Sequence, residues 1–214
     1  MSEHEHPHDG DLLEADDGAH DAPPPLDPDV VARREAALRQ VVQFGDPVLK
    51  SRAMPVTVFD DGLKAEIERM AGLMSDSLGI GLAATQVGRL RRLLVYRVEH
   101  EGPVQALINP ELQWASKDEE VFEEGCLSLR GVLVDVERPI HVRVTALDPS
   151  GAPIVVEASG LEARVIQHEM DHLDGVLIID RAPRGGPAAG RAVRRPGAEV
   201  QGDADHRLRR RPAG

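Results

Sequence analysis

The stretch ARVIQHEMDHLDG, at Ala163–Gly175, constrains the fold of this chain more than any other feature. One face of a helix would carry Leu161, Val165, His168 and His172, because they are spaced by four, three and four residues. The apolar members indicate that this face points inward. Each imidazole ring has two nitrogen atoms that need partners when the ring is buried. The fold must therefore bury a helix with polar rings on its inner face and provide something that holds both rings.

The ends of this helix can be predicted from its flanking residues. Ser159 and Glu162 have the spacing of a capping box, in which both side chains accept hydrogen bonds from backbone N–H groups of the first turn. Gly175 suits the end, because glycine readily adopts the left-handed conformation that follows a last helical turn. The sequence predicts a helix from Ser159 to near Gly175.

His168, Glu169 and His172 form a His-Glu-x-x-His pattern. Two imidazoles one turn apart can bind one divalent ion, each through one nitrogen, with the glutamate beside it. The alternative is a pair of core histidines bonded to backbone carbonyl groups. The usual third histidine of metalloproteases is missing downstream, and no recognised spacing supports the remaining oxygen ligands, Asp171, Asp174 and Asp180.

Cys126 is the only cysteine, so no intrachain disulfide can form. It lies in EEGCLSLRG, which has the pattern of a strand entering a turn. A thiolate is a strong ligand for zinc or iron, so Cys126 is a candidate third ligand. The other interpretation is a small apolar side chain in the core.

The charge of the chain divides it into three parts. Residues 1–29 contain ten Asp and Glu and no Lys or Arg, whereas residues 181–214 contain nine Arg against three Asp and Glu. Neither end has apolar periodicity, so we expect disordered tails at 1–29 and 183–214 around one folded domain at 30–182. The acidic balance argues against a specific nucleic acid partner. No secretory signal or membrane span is evident, which predicts a cytoplasmic protein without a membrane partner.

Between the tails, the pattern predicts two more helices and several strands. A first helix begins at Pro28 and ends before Phe44, and a second begins at Asp60 or Asp61 and ends at Gly79. Runs bounded by Gly, Pro and Asp predict antiparallel strands at Leu93–Val98, Val104–Asn109, Val132–Val136, Ile140–Leu147 and Ile154–Ala158. This order of elements indicates one α+β domain.

Three stretches in order resemble the motifs of the peptide deformylase family. They are GIGLAATQVG at Gly79–Gly88, EGCLS at Glu124–Ser128 and QHEMDHLDG at Gln167–Gly175. The resemblance extends from QFGDPVL, near Gln43, to IIDR, which ends at Arg181. It implies an α+β fold in which antiparallel sheets pack around a central helix that carries the His-Glu-x-x-His motif.

By motif position, the resemblance implies one divalent metal ion held by Cys126, His168 and His172. It implies that Glu169 is the general acid and base, and that Gln86 and the backbone N–H of Leu127 stabilise the oxyanion. It also implies that the substrate peptide lies along Ile80, Gly81 and Gly125. Fe(II) is the metal that the resemblance favours, and Zn(II), Ni(II) or Co(II) would suit the same ligands.

The function implied is a hydrolase that removes the formyl group from the N-terminal formyl-methionine of newly made polypeptides and releases formate. The expected partners are these N-formyl-methionyl peptides, with the ribosome surface as a further candidate. Two rival hypotheses are a His-Glu-x-x-His metallopeptidase with an unrecognised third ligand, and a non-catalytic protein that binds metal through His4–Asp11. Metal stoichiometry separates the last hypothesis from the enzyme.

Two segments depart from the family pattern. After EGCLS, family members commonly continue with an aliphatic residue and proline, whereas this chain has Leu129 and Arg130. A guanidinium beside the substrate predicts a few-fold preference for peptides with an acidic residue after the methionine. The second departure follows Arg181, where a helix is expected but the sequence APRGGPAAG disfavours one.

Overall fold

The structure, a computed structural model, describes residues 26–99 and 101–182. In these ranges the α-helices are α1 (Pro28–Leu38), α2 (Asp61–Asp76) and α3 (Gly160–Leu173). The strands are β1 (Gly81–Ala83), β2 (Leu93–Tyr96), β3 (Gln105–Ala115), β4 (Glu119–Cys126), β5 (Leu129–Pro139), β6 (His141–Leu147) and β7 (Pro153–Ser159). The predicted tails lie outside the described residues, except that α1 begins inside the range 1–29. Across the described part of the chain, every helix is too short or too polar to span a bilayer.

The strands form two antiparallel sheets. One has five strands in the order β1-β2-β3-β6-β7, and the other consists of β4 and β5. Helix α3 contacts β1, β2, β6 and β7 of the first sheet and β5 of the second. The predicted fold class, with antiparallel sheets packed around the helix that carries the His-Glu-x-x-His motif, is confirmed.

The first two helices begin where their capping residues predict. The Asp60 carboxylate accepts a hydrogen bond from the Leu63 backbone N–H, and α2 buries Leu63 and three further apolar residues of its inner face. Helix α1 begins at Pro28, as predicted, and ends at Leu38. Ala37 and Leu38 at its C-terminal end are buried and hold the helix on the domain.

The core is built almost entirely from aliphatic side chains, as the low aromatic content requires. Strand β6 shows the expected alternation, because Val142, Val144 and Ala146 are buried while His141 and Arg143 are exposed. The inner face of β6 packs with α3 residues in one apolar cluster that includes Ala163 and Ile166. The central helix is therefore held on the large sheet by apolar contacts.

Three details of the sequence prediction are wrong or incomplete. Strand β4 was predicted only at its end, where EEGCLSLRG has the pattern of a strand entering a turn, because seven of its eight residues are exposed or half-buried and show no alternation. The short strand β1, which pairs with β2, was also missed. The capping box does not form: the Ser159 hydroxyl bonds His141 Nδ1 instead, and the Glu162 carboxylate accepts from Tyr96.

Candidate metal centre

Three candidate ligand atoms meet where β4 ends against α3. One atom each of Cys126, His168 and His172 lies within 4.8 Å of the other two. Cys126 is the last residue of β4, and its Sγ is 3.2 Å from His172 Nε2. The two imidazole rings stand one helical turn apart, with centroids separated by 5.0 Å and planes inclined at 68°. Soft sulfur and imidazole nitrogen in this arrangement suit a single first-row divalent ion.

The orientation of each ring fixes which nitrogen is available. His168 Nδ1 is 2.9 Å from Glu124 Oε2, so its Nε2 is left for a ligand. A carboxylate on the outer nitrogen is the usual support of a metal-binding histidine. The Thr85 hydroxyl bonds the backbone carbonyl oxygen of His172, which ties this turn of α3 to the segment after β1. The Glu124 carboxylate therefore orients the His168 ring, whereas His172 Nδ1 has no hydrogen-bond partner among the described residues and its ring is held by burial.

The aspartates considered as oxygen ligands have other partners. Asp171 accepts hydrogen bonds from Arg138 and Arg181, Asp174 accepts from Arg92, and Asp180 accepts from Lys50 and the Leu177 backbone N–H. The expected inward face of α3 is also incomplete, because Leu161 is exposed at the start of the helix.

A buried cluster of charges surrounds the Glu124 carboxylate, and we call Glu124, Arg138, Arg164 and His168 the buried cluster. Arg138 donates to both oxygens of Glu124, at 2.6 and 2.9 Å, and Arg164 Nη1 donates to Oε1 at 2.8 Å. Arg164 also donates to the backbone carbonyls of Val136 and Glu120, which links α3 to both strands of the small sheet. This network sets the position of the carboxylate that orients His168.

The electrostatics of the buried cluster favour a cation at His168. Burial opposes ionisation of Glu124, yet hydrogen bonds from Arg138 and His168 hold the pKa of its carboxyl well below the ordinary value. Burial would lower the pKa of His168, but the neighbouring Cys126 and Glu124 raise it to about 10. Surroundings that stabilise a proton on His168 also stabilise a metal ion bound there, because both are positive charges.

Glu169 lies next to the ligand histidines and is itself buried. Burial raises the pKa of Glu169 to about 7, against the attraction of the His168 charge, which lowers it. Its Oε2 has no hydrogen-bond partner among the described residues. Gly81 packs so closely against this carboxylate that a Cβ atom there would overlap it, which explains the glycine. A buried carboxyl group that titrates near neutral pH can both accept and donate a proton.

Gln86 approaches the sulfur from the opposite segment. Its side-chain Nε2 lies 3.6 Å from Cys126 Sγ and 3.3 Å from Ser128 Oγ, while its Oε1 accepts from the Ala83 backbone N–H at 2.8 Å. The bond to Ala83 fixes the orientation of the amide, so its N–H donors face the site. Leu127, the other predicted oxyanion residue, lies in the turn between β4 and β5, directly after the ligand cysteine.

A cleft of about 580 Å³ opens onto these residues. Its lining includes all three predicted substrate-binding residues, Ile80, Gly81 and Gly125, together with Gln86, Cys126, Leu127, His168 and Glu169. His172 is nearly fully buried beneath the cleft floor and does not line it. The structure thus brings every site residue predicted from the sequence to one place.

Sequence reasoning missed three members of the buried cluster, Glu124, Arg138 and Arg164. Two of them carried a detectable signal. Arg164 precedes His168 by four residues and so shares its helical face, and Arg138 continues the inward alternation of Val134 and Val136 along β5. A charged residue at an inward position needs a buried partner.

Comparisons with known proteins agree with the resemblance of the motifs. A family model described as polypeptide deformylase matches residues 38–187. The peptide deformylase of Thermotoga neapolitana is 52% identical over 138 residues, which cover 64% of this chain and 83% of that protein. A crystal structure of the Thermotoga maritima peptide deformylase superposes with a TM-score of 0.65 and 47% identity, covering 67% of this chain and 96% of that one. The Synechococcus elongatus peptide deformylase in complex with actinonin gives a TM-score of 0.65 and 44% identity over 67% and 80% of the two chains.

Proposed function

The chain belongs to the polypeptide deformylase family, and on that premise we propose that Cys126, His168 and His172 hold the catalytic metal ion. The protein is a hydrolase that removes the formyl group from the N-terminal formyl-methionine of newly made polypeptides. The observation that carries the ligand assignment is the convergence of a thiol and two imidazoles within 4.8 Å, beside a buried carboxylate. When bound, the ion supplies a Lewis acid that acidifies water and polarises a carbonyl oxygen.

Glu169 moves the proton in this proposal. Its carboxylate accepts a proton from the water molecule that attacks the formyl carbon, and then donates that proton to the departing amine nitrogen. The C–N bond breaks in this second step, and the products are formate and a peptide with a free N-terminal methionine. The unpartnered Oε2 and the position of Glu169 in the lining of the cleft support this role, because an oxygen atom without a protein partner is left to bind water or substrate.

The oxyanion of the tetrahedral intermediate needs hydrogen-bond donors in fixed positions. The Gln86 amide is one donor, and its fixed orientation by Ala83 means that little reorganisation is needed during reaction. The backbone N–H of Leu127 is the second donor. The Gln86 amide approaches Cys126 Sγ and Leu127 follows Cys126 in the chain, so both donors would act on an oxygen atom bound close to the ligand residues.

The peptide substrate lies in the cleft, with its backbone along Ile80, Gly81 and Gly125 and its methionine side chain among apolar residues. Val165, which lines the cleft one turn before Glu169, is a candidate wall of that pocket. Glycine at two of the three backbone positions lets the substrate chain approach closely.

Fe(II) is the metal we propose, with Zn(II), Ni(II) and Co(II) as ions that the same donors accept. The test is formate release from formyl-Met-Ala-Ser by protein loaded anaerobically with each metal in turn. We expect formate with at least one metal and none from acetyl-Met-Ala-Ser. Cleavage between amino acid residues without formate release would instead support a metallopeptidase.

We further propose that the enzyme works in the cytoplasm and meets its substrates at the ribosome surface, since newly made polypeptides emerge there. The seven arginines of residues 185–214 would supply a salt-dependent attraction to RNA phosphates without sequence preference. Co-sedimentation of the full chain with ribosomes, at low and high salt, tests this. A chain lacking residues 185–214 should sediment less, and equal sedimentation of both chains would refute the role of the tail.

A further inference from the structure

Arg130 lies on a bulge that begins after Leu129, the residue that pairs with the ligand Cys126. In the β4–β5 hairpin Cys126 pairs with Leu129, whereas Gly125 pairs with Leu133, so residues 130–132 bulge out of the ladder. Gly131 has a φ of 73°, a left-handed conformation that suits such a bulge. Leu129 is buried in the core, while Arg130 is half-exposed and lines the cleft. The bulge therefore places a cation on the wall of the substrate cleft.

Helix α1 supplies the other charges of this wall. Arg34 and Glu35 both line the cleft, and the buried Ala37 and Leu38 of the next turn fix the helix in place. Glu35 Oε2 is 3.7 Å from Arg130 Nη1, and Glu35 Oε1 is 4.0 Å from Arg34 Nη1. The Glu35 carboxylate thus stands between two guanidinium groups. We call Arg34, Glu35 and Arg130 the rim cluster.

We propose that the rim cluster is a specificity element for the substrate chain beyond the formyl-methionine, in which Glu35 competes with an acidic substrate side chain for Arg130. The inference rests on the proposed function, because it requires the peptide to run along this cleft. The rim cluster carries one positive charge in total, so an acidic substrate residue is still attracted while Glu35 is present.

The geometry makes an exchange of partners feasible. The side chains of the rim cluster are 41% to 48% exposed, so water screens their attraction and neither pair is tightly bound. A guanidinium can bind a carboxylate through two parallel hydrogen bonds, but the distance of 3.7 Å shows that Arg130 does not do so with Glu35. A carboxylate arriving with the substrate can therefore form the better pair.

Another charged residue on the wall of the cleft limits the effect. Glu123 of β4 is exposed and lines the same cleft, so it repels an acidic substrate. Glu124 does not add to this repulsion, because Arg138 and Arg164 neutralise it. The net preference should be small in the natural protein and should change in opposite directions when Glu35 or Arg130 is neutralised.

The experiment compares kcat/KM for formyl-Met peptides that differ only by Asp or Asn, placed in turn at the second, third and fourth positions. Asp and Asn have the same shape, so their ratio measures charge alone. The metal-loaded proteins are wild type, Arg130→Gln and Glu35→Gln. Matched controls are Arg33→Gln on α1 and Glu68→Gln on α2, exposed residues that are not among the described residues lining the cleft.

At one substrate position, we expect an Asp/Asn ratio of about two to three in wild type, as for an exposed ion pair, and a ratio near one or below in Arg130→Gln. Glu35→Gln should raise the ratio about two- to three-fold further, and 0.5 M salt should reduce it. The controls should match wild type. The proposal requires the Asp/Asn ratio to be highest in Glu35→Gln, intermediate in wild type and lowest in Arg130→Gln. Any other ranking of this ratio overturns it. Absence of formate from every peptide would refute the proposed function instead.

Discussion

Two carboxylate–arginine clusters lie within the same cleft region and differ mainly in burial. In the buried cluster, Glu124 binds Arg138 and Arg164 at 2.6 to 2.9 Å, and its side chains are 3% to 12% exposed. In the rim cluster, Glu35 is 3.7 and 4.0 Å from its two arginines, and the side chains are 41% to 48% exposed. Water reaches the rim cluster and is almost excluded from the buried cluster.

The difference shows that the same chemical groups serve opposite purposes according to burial. A buried carboxylate with charged partners cannot exchange them for water, so Glu124 holds one position and orients His168 in the same way at all times. An exposed pair exchanges with water and ions at little cost, so Glu35 can yield to a substrate. The buried cluster therefore holds a metal ligand in one position, and the rim cluster can exchange its partners for a substrate side chain.

The largest effect is expected from Glu124→Gln, which removes the central charge of the buried cluster. Buried Arg164 would lose its counter-ion and buried Arg138 would keep only Asp171, so the free energy of unfolding should fall by about 3–5 kcal/mol. Loss of the carboxylate on His168 should also weaken metal binding about 10- to 100-fold. Urea unfolding of the metal-free protein and competition with a chelator measure the two effects. A decrease of less than about 1 kcal/mol in the free energy of unfolding would mean that the buried cluster is no more rigid than the rim cluster.

Arg138→Lys keeps the positive charge but replaces the planar guanidinium group, which donates several hydrogen bonds in fixed directions, by a single ammonium group. One ammonium group cannot reproduce the three hydrogen bonds that Arg138 donates to Glu124 and Asp171. We expect the free energy of unfolding to fall by about 1–3 kcal/mol, because buried acceptors are left unpaired. The same urea titration checks this, and a variant as stable as wild type would show that charge alone, without geometry, maintains the cluster.

Glu35→Gln makes the same chemical change as Glu124→Gln, but at the rim. The free energy of unfolding should change by less than about 0.5 kcal/mol, since the pairs of Glu35 are exposed and long. Metal affinity should equal that of wild type. A destabilisation comparable to that of Glu124→Gln would remove the distinction between the two clusters.

The smallest effect is expected when residues 1–26 and 185–214 are deleted, because neither cluster includes a residue from these segments. Formate release from short peptides should keep a kcat/KM within about two-fold of the full chain, the size expected for changes away from the folded domain. The full chain assayed in parallel is the control. A large loss of kcat/KM or of folded protein would show that an ordered element has been mistaken for a tail.

The contrast between the clusters also explains how far the sequence alone could lead. The ligands and Glu169 could be predicted because His168 and His172 lie on one local helical stretch, and because the cysteine segment has a distinctive motif. Glu124 and its arginines come from β4, β5 and α3, so their meeting is a property of the tertiary fold. Sequence patterns report local periodicity, and they do not report which distant charges will pair.

The failed capping box of α3 has the same cause. The spacing of Ser159 and Glu162 is correct and the helix does begin there, but both side chains bind tertiary partners on neighbouring strands. Strand β4 could not be predicted as a half-buried strand because its partner β5 covers one edge and little covers its faces. At the helix start, contacts with distant segments replaced the local rule, and in β4 no buried face imposes an alternation.

The central claim is that the ion-binding residues and the proton-moving residue are separate groups, and Glu169→Ala tests it most directly. Metal content and formate release are measured on the same anaerobically loaded sample, beside wild type. We predict one ion per chain in both proteins and a kcat that is about 100- to 10,000-fold lower in the variant, because only the proton transfer is lost. A variant that keeps the kcat of wild type, or one that no longer binds the ion, would contradict the account.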